Sequence, residues 1–230
     1  MRFSVQHRPA QKPKGEEKKK ENTRTTLDPD APDEWLTGII IANILHELDI
    51  KYILRPNLPV CVSFLYPMST FVFNGILQNP DSKQTREMRN RNQVTIIVIN
   101  TGAHWTVIVI DCRNTKQLFY FDSLGYCIPD FLKTSLIDRF PEFTFINWNY
   151  HVQHEGVHCG VWACWFVEVV LNYVCTDRDL TTIDLSQYVY INTSNTRNKH
   201  RNTTFIESKR LEYTNWLLEA KLNGCLFYEE

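Results

Sequence analysis

Cys159, His104 and Asp122 have the types and order that nucleophilic catalysis at a carbonyl requires. Cys159 ends a polar, His-rich run over residues 153–158 and directly precedes Gly160. The thirteen residues that follow, 161–173, hold one charge, Glu168, and one other strongly polar side chain, Asn172. An apolar run of that length without proline or internal glycine reads as a helix buried on most sides. A thiol at its N-terminus meets the positive end of the helix dipole and unpaired backbone N–H groups, and both favour thiolate. Imidazole at His104 can take or share the thiol proton, and a carboxylate at Asp122 can orient the imidazole. Gln153 lies six residues before Cys159, enough loop for its amide to fold back and, with the Cys159 backbone N–H, hold an oxyanion. Gly160, without a Cβ, would let a substrate approach the helix start closely.

Such a site needs elements to deliver it. Residues 94–100, 105–111 and 118–122 are β-branched or aromatic runs and read as strands, with a turn over 112–116. If the second and third pair as neighbours, His104 at the start of one meets Asp122 at the end of the other. Residues 143–149 read as a fourth strand and 129–140 as a helix. Asp33 can cap a helix whose stripe is Leu36, Ile40, Ile44 and Leu48. Residues 52–64 look extended or mixed, 69–77 a short helix, and 79–93 a surface loop with a helical piece. Residues 192–204 are polar and read as a long mobile loop, after which 206–222 close the domain as a helix. The layout is α+β, a central sheet of about four strands with helices around it.

With 230 residues, 43% apolar and 22% charged, the chain suffices for one packed domain plus an extension. A net charge of −1 argues against a whole-surface nucleic-acid binder. Residues 1–32, with Lys12, Lys14, Lys18, Lys19, Lys20 and Arg24, read as a disordered basic arm. Its plain role is a solvated tail; its sharper one is localisation or nucleic-acid contact. The folded domain then spans 33–230. Met1 leads into a polar stretch rather than a secretory signal, and the seven cysteines form no CxxC pair, so free thiols in an intracellular compartment are expected. The sequons at Asn192 and Asn202 accordingly carry little weight. No apolar run is long enough for a membrane span. His151, His154, His158 and Cys159 lack the second ligand pair of a structural zinc site, so neither metal nor cofactor is expected.

His104-Trp105, Asp122-Ser123 and then Gln153 followed by Cys159-Gly160, with Trp35-Leu36 upstream, resemble the motifs of the sentrin/SUMO-specific protease family and its viral relative adenain. The resemblance implies a papain-like, adenain-like fold with a central mixed sheet and a buried catalytic helix. It implies Cys159 as nucleophile, His104 as base, Asp122 as orienter and Gln153 as oxyanion donor. Trp35 and Trp105 match the tryptophans that line the family's channel for a Gly-Gly tail, where two flat rings admit a strand without side chains. The chain departs from the pattern at Val152, where the family has Pro, at His158, where it has Asp, and at Thr37-Gly38, where it has Asn-Asp. The implied reaction is hydrolysis of a peptide or isopeptide bond after Gly through a thioester. The partner would be a ubiquitin-like modifier or its conjugate, and the protease a monomer in nucleus or cytoplasm. A viral or mobile-element protease cutting Gly-containing precursor sites, in a virion, is an alternative. So are an acetyltransferase using the same Cys–His site, which in related effectors carries Glu in place of Asp122, and a non-catalytic binding module.

Overall fold

In the computed structural model, which describes residues 36–53, 60–90, 93–113, 116–148 and 150–224, the β-branched runs form the centre of a five-stranded mixed sheet. β1 (Cys61–Ser69) runs parallel to β2 (Gln93–Asn100). β3 (Trp105–Asp111) is antiparallel to both β2 and β4 (Gln117–Phe121), and β5 (Thr144–Trp148) is parallel to β4. Spatial order follows chain order. The strand anticipated only in part is β1: extended or mixed structure was expected over 52–64, and β1 runs on through Pro67 to Ser69, alternating irregularly between exposed and buried. An edge position tolerates such a strand, because a missing N–H there breaks no inner ladder.

The central strands are apolar on both faces because both faces are covered. Val94, Ile96, Val98, Val107, Val109, Phe119 and Phe121 belong to one core with α1 (Gly38–Tyr52), α5 (Cys159–Val174) and α6 (Thr196–Leu222). Ile97, Ile99, Ile108, Ile110, Leu118 and Tyr120 belong to a second core with α2 (Thr70–Gln78), α3 (Lys83–Met88) and α4 (Asp130–Arg139). All of α5 except Asn172 is buried.

Two boundaries differ from the sequence reading. α1 begins at Gly38, and its cap is Thr37, whose hydroxyl accepts from the Ile40 N–H at 3.3 Å. Asp33 lies outside the described residues, as do the 1–32 arm and Trp35. Residues 196–204, read as mobile loop, are instead the first turns of the 27-residue α6, with the Asn195 side chain accepting from the Arg197 N–H. Polarity misled because this end of the helix is mostly exposed; what ties it down is the single buried residue Asn202. Among the described residues no helix is long and apolar enough to cross a membrane, and Cys61, Cys112, Cys127, Cys159, Cys164 and Cys175 are free thiols.

Candidate active site

His104 sits in the tight β2–β3 turn, where Asn100 opposes Trp105. Gly102 takes a positive φ of 117°, its N–H bonded to the Asn100 side chain at 2.8 Å. The Thr101 N–H and hydroxyl both donate to the His104 carbonyl, at 2.8 and 3.2 Å. The imidazole therefore projects from a braced turn rather than a loose loop.

β3 and β4 pair as neighbours, Val107 opposite Phe121, so Asp122 emerges at the sheet end that carries His104. His104 Nε2 lies 3.0 Å from Asp122 Oδ1, which also accepts the Leu124 N–H at 2.8 Å. Asp122 is 2% exposed. Phe121, just before it, stacks on Phe166 with ring centroids 4.1 Å apart and planes within 6°. Phe166 lies two helical turns beyond Cys159, on the same side of α5, so the stack registers the strand end against the helix start.

Cys159 is the first residue of α5. It also faces His104. Burial pushes the imidazole pKa down, but hydrogen bonds to Asp122 and Cys159 and the electrostatic pull of both outweigh burial and lift it to about 9. With Nε2 engaged by Asp122, Nδ1 is the ring nitrogen left for the thiol. At the helix start His158 makes no side-chain capping bond, and the first intrahelical acceptor, the His158 carbonyl, is taken by Trp162. The N–H groups of the first turn, Cys159 included, thus have no partner within the helix.

Gln153 is 1% exposed. Its backbone N–H and that of Val152 both donate to the Ser123 carbonyl at 2.9 Å. Its side-chain oxygen accepts from the Ser123 hydroxyl at 2.7 Å, and its amide nitrogen donates to the Glu155 carbonyl. Next to this contact Leu124 bridges His151, and Gly125 takes φ +76°, a conformation strained for any side chain, where a Cβ would also press to 3.2 Å from the His151 Cβ.

Trp105 is 6% exposed, and its indole N–H donates to the Leu36 carbonyl at 2.9 Å, tying β3 to the approach of α1. Gly160 serves a different purpose from substrate access: a Cβ there would lie 2.9 Å from the Leu36 Cβ, so Leu36 occupies the space the glycine leaves. The His-rich run is not disposed as a metal centre, and among the described residues no group of three His, Cys, Asp or Glu is. His158 Nδ1 instead lies 3.2 Å from Glu155 Oε1. Burial pushes Glu155 up, yet bonds from His158 and from the His154 N–H hold it below the ordinary carboxylate range.

No protein-family model matches the chain, and no curated protein does. Among solved structures it is similar to the central domain of the uncharacterized Lpg1148 protein from Legionella pneumophila, at 10% identity and a TM-score of 0.50 over 81% of this chain and 99% of that one. It is also similar to a de-sumoylating protease, at 13% identity and 0.49 over 86% and 90%. A third is the Xanthomonas campestris effector XopD in its structure bound to ubiquitin, at 20% and 0.45 over 71% and 93%. The Legionella domain shares the fold alone.

Sequence reasoning assembled His104, Asp122, Gln153 and Cys159, and the structure brings all four to one end of the sheet. It missed Asn202. That side chain is 2% exposed; its amide donates to the carbonyls of Val152 at 3.0 Å and Tyr190 at 2.8 Å, and its oxygen accepts the Tyr190 N–H at 2.9 Å. Nothing in the sequence marked this role, since the sequon at Asn202 reads as an exposed site, whereas the buried amide is used within the fold.

Proposed function

We propose that the chain is a cysteine-type peptidase or isopeptidase that cleaves after glycine in a ubiquitin-like modifier or its conjugate. The observation that carries this reading is one imidazole held between the Asp122 carboxylate and the Cys159 thiol at the tip of a buried helix. Cys159 is the nucleophile: its sulfur forms a bond to the substrate carbonyl carbon, and the carbonyl electron pair moves onto oxygen. The uncapped Cys159 N–H and the Gln153 amide receive that oxyanion. His104, having taken the thiol proton and held by the Asp122 carboxylate, gives that proton to the departing amine as the oxyanion collapses and the C–N bond breaks. Water then cleaves the thioester with His104 as base. Asp122 holds the ring orientation and its charge.

The substrate class follows from access. Cys159 is 1% exposed, so a slim tail reaches the sulfur more readily than a chain bearing side chains. Gly-Gly is such a tail, and Trp105 with Trp35 are assigned to its channel, in line with the motif resemblance. The test is reaction of the purified chain with ubiquitin-like proteins carrying a C-terminal electrophile, with Cys159→Ala as control. Covalent capture by wild type alone is expected, and the probe captured names the modifier. Acetyl transfer from acetyl-CoA to a protein hydroxyl or amine, with no capture by any probe, would overturn the peptidase reading.

A further inference from the structure

Ser123 follows Asp122 and has no part in the four-residue reaction scheme, yet it is 1% exposed and makes three of the bonds that hold Gln153 and its neighbour. We propose that Ser123 is a positioning residue that, together with the Glu155 carbonyl, holds the Gln153 amide in the orientation able to receive the oxyanion. This rests on the reading of Gln153 as oxyanion donor given above.

The Gln153 side chain has an acceptor end and a donor end. Its nitrogen faces the Glu155 carbonyl, which can only accept, so a flipped amide would set two oxygens against each other there. Its oxygen faces the Ser123 hydroxyl, which donates to it at 2.7 Å. One N–H is spent on Glu155 and the second is the hydrogen left for substrate. The Ser123 carbonyl, taking the N–H groups of Val152 and Gln153, fixes the backbone from which that amide projects. Ser123 thus sets both the root and the tip of Gln153, while Asp122, one residue earlier, sets His104. Two consecutive residues at the end of β4 orient the base and the oxyanion donor.

The test uses the full chain and the acyl donor acetyl-Gly-Gly p-nitrophenyl ester. Ser123→Ala is expected to lower kcat about tenfold at unchanged KM, the scale of one misaligned hydrogen bond. Gln153→Ala is expected to lower it about a hundredfold, the scale of one lost donor. Because Ser123 acts through Gln153, the double variant should be no slower than Gln153→Ala. Wild-type kcat in Ser123→Ala, or a double variant slowed by a further tenfold, would overturn the proposal. Alkylation of Cys159 by iodoacetamide forms the C–S bond by displacing iodide and makes no oxyanion, so its rate should be equal in wild type and Ser123→Ala. If wild type alkylates but never turns over the ester, the peptidase reading is at fault, and the amide is then read directly by NMR. The two Gln153 side-chain amide protons should be well separated and slow to exchange in wild type. They should approach free-glutamine behaviour in Ser123→Ala. Free-glutamine behaviour already in wild type, or an unchanged pair in Ser123→Ala, overturns the proposal, and the wild-type measurement stands even if the variant does not fold.

Discussion

His104 is where residue types, spacing and electrostatics converge. Burial alone would make it a poor cation, but Asp122 and Cys159 raise it to about 9. A protonated imidazole therefore persists well above neutrality, and the step that needs its proton should fail only as the pH rises through about 9. Asp122→Ala removes the carboxylate partner. The alkaline limb of kcat/KM should then move to lower pH by about 1–3 units, the usual effect of one nearby opposite charge. The acid limb and the fold, followed by circular dichroism, should change less. An alkaline limb that stays in place would remove Asp122 from the mechanism. At this scale the sequence was readable because chemistry constrains residue type: Cys, His, Asp and Gln in that arrangement have few other uses together. Ser123 was not, since a small hydroxyl beside a carboxylate is common and only coordinates reveal which amide it faces.

Elements were legible where one physical signal dominated. The β-branched runs became β2, β3 and β4, and the apolar run became α5, because burial on all sides needs continuous hydrophobicity. The early turns of α6 were illegible because one buried Asn among exposed polar residues leaves no period to detect. That Asn carries a prediction. Asn202→Ala strips donors from the Val152 and Tyr190 carbonyls and an acceptor from the Tyr190 N–H. Each buried group left unpaired costs about 1–3 kcal/mol. Asn202→Asp is nearly isosteric yet should be worse, because it sets a carboxylate oxygen against two carbonyls. Thermal unfolding should therefore rank wild type above Asn202→Ala above Asn202→Asp, and kcat should fall in both variants, since Val152 precedes Gln153. An Asp variant as stable as wild type would mean that the amide does not clamp this loop.

Across the whole molecule, three helices that pack on one face of the sheet share a single charge. Glu168, the one carboxylate in α5, is 6% exposed. Its Oε1 receives Lys51 Nζ and the Tyr52 hydroxyl, both at 3.0 Å from the end of α1. Its Oε2 receives Lys209 Nζ at 2.9 Å and the Tyr213 hydroxyl at 3.3 Å from α6. An apolar helix could slide or rotate against its neighbours at small cost; a carboxylate with both oxygens filled from two sides cannot. Burial pushes Glu168 up, but its bonds to Lys209 and Lys51 and their charges outweigh that and hold it below its ordinary value. A depressed carboxylate contributes stability that is fully present above its unfolded pKa and is lost as the pH falls through its folded one. Glu168→Gln keeps the shape but leaves two ammonium groups facing a neutral amide. At pH 7 it should unfold in less urea. The loss should fall short of the roughly 3–5 kcal/mol of a fully buried pair, because Lys51 is 39% exposed. The gap should close on acidification below the ordinary carboxylate range, where wild type loses the same charge. Glu168 lies nine residues, roughly 13 Å, along α5 from Cys159, so native-state alkylation of the thiol should be unchanged. A gap that stays constant from pH 7 to strongly acid solution would show that shape rather than charge locks α1, α5 and α6 into the register that sets the nucleophile at the sheet end.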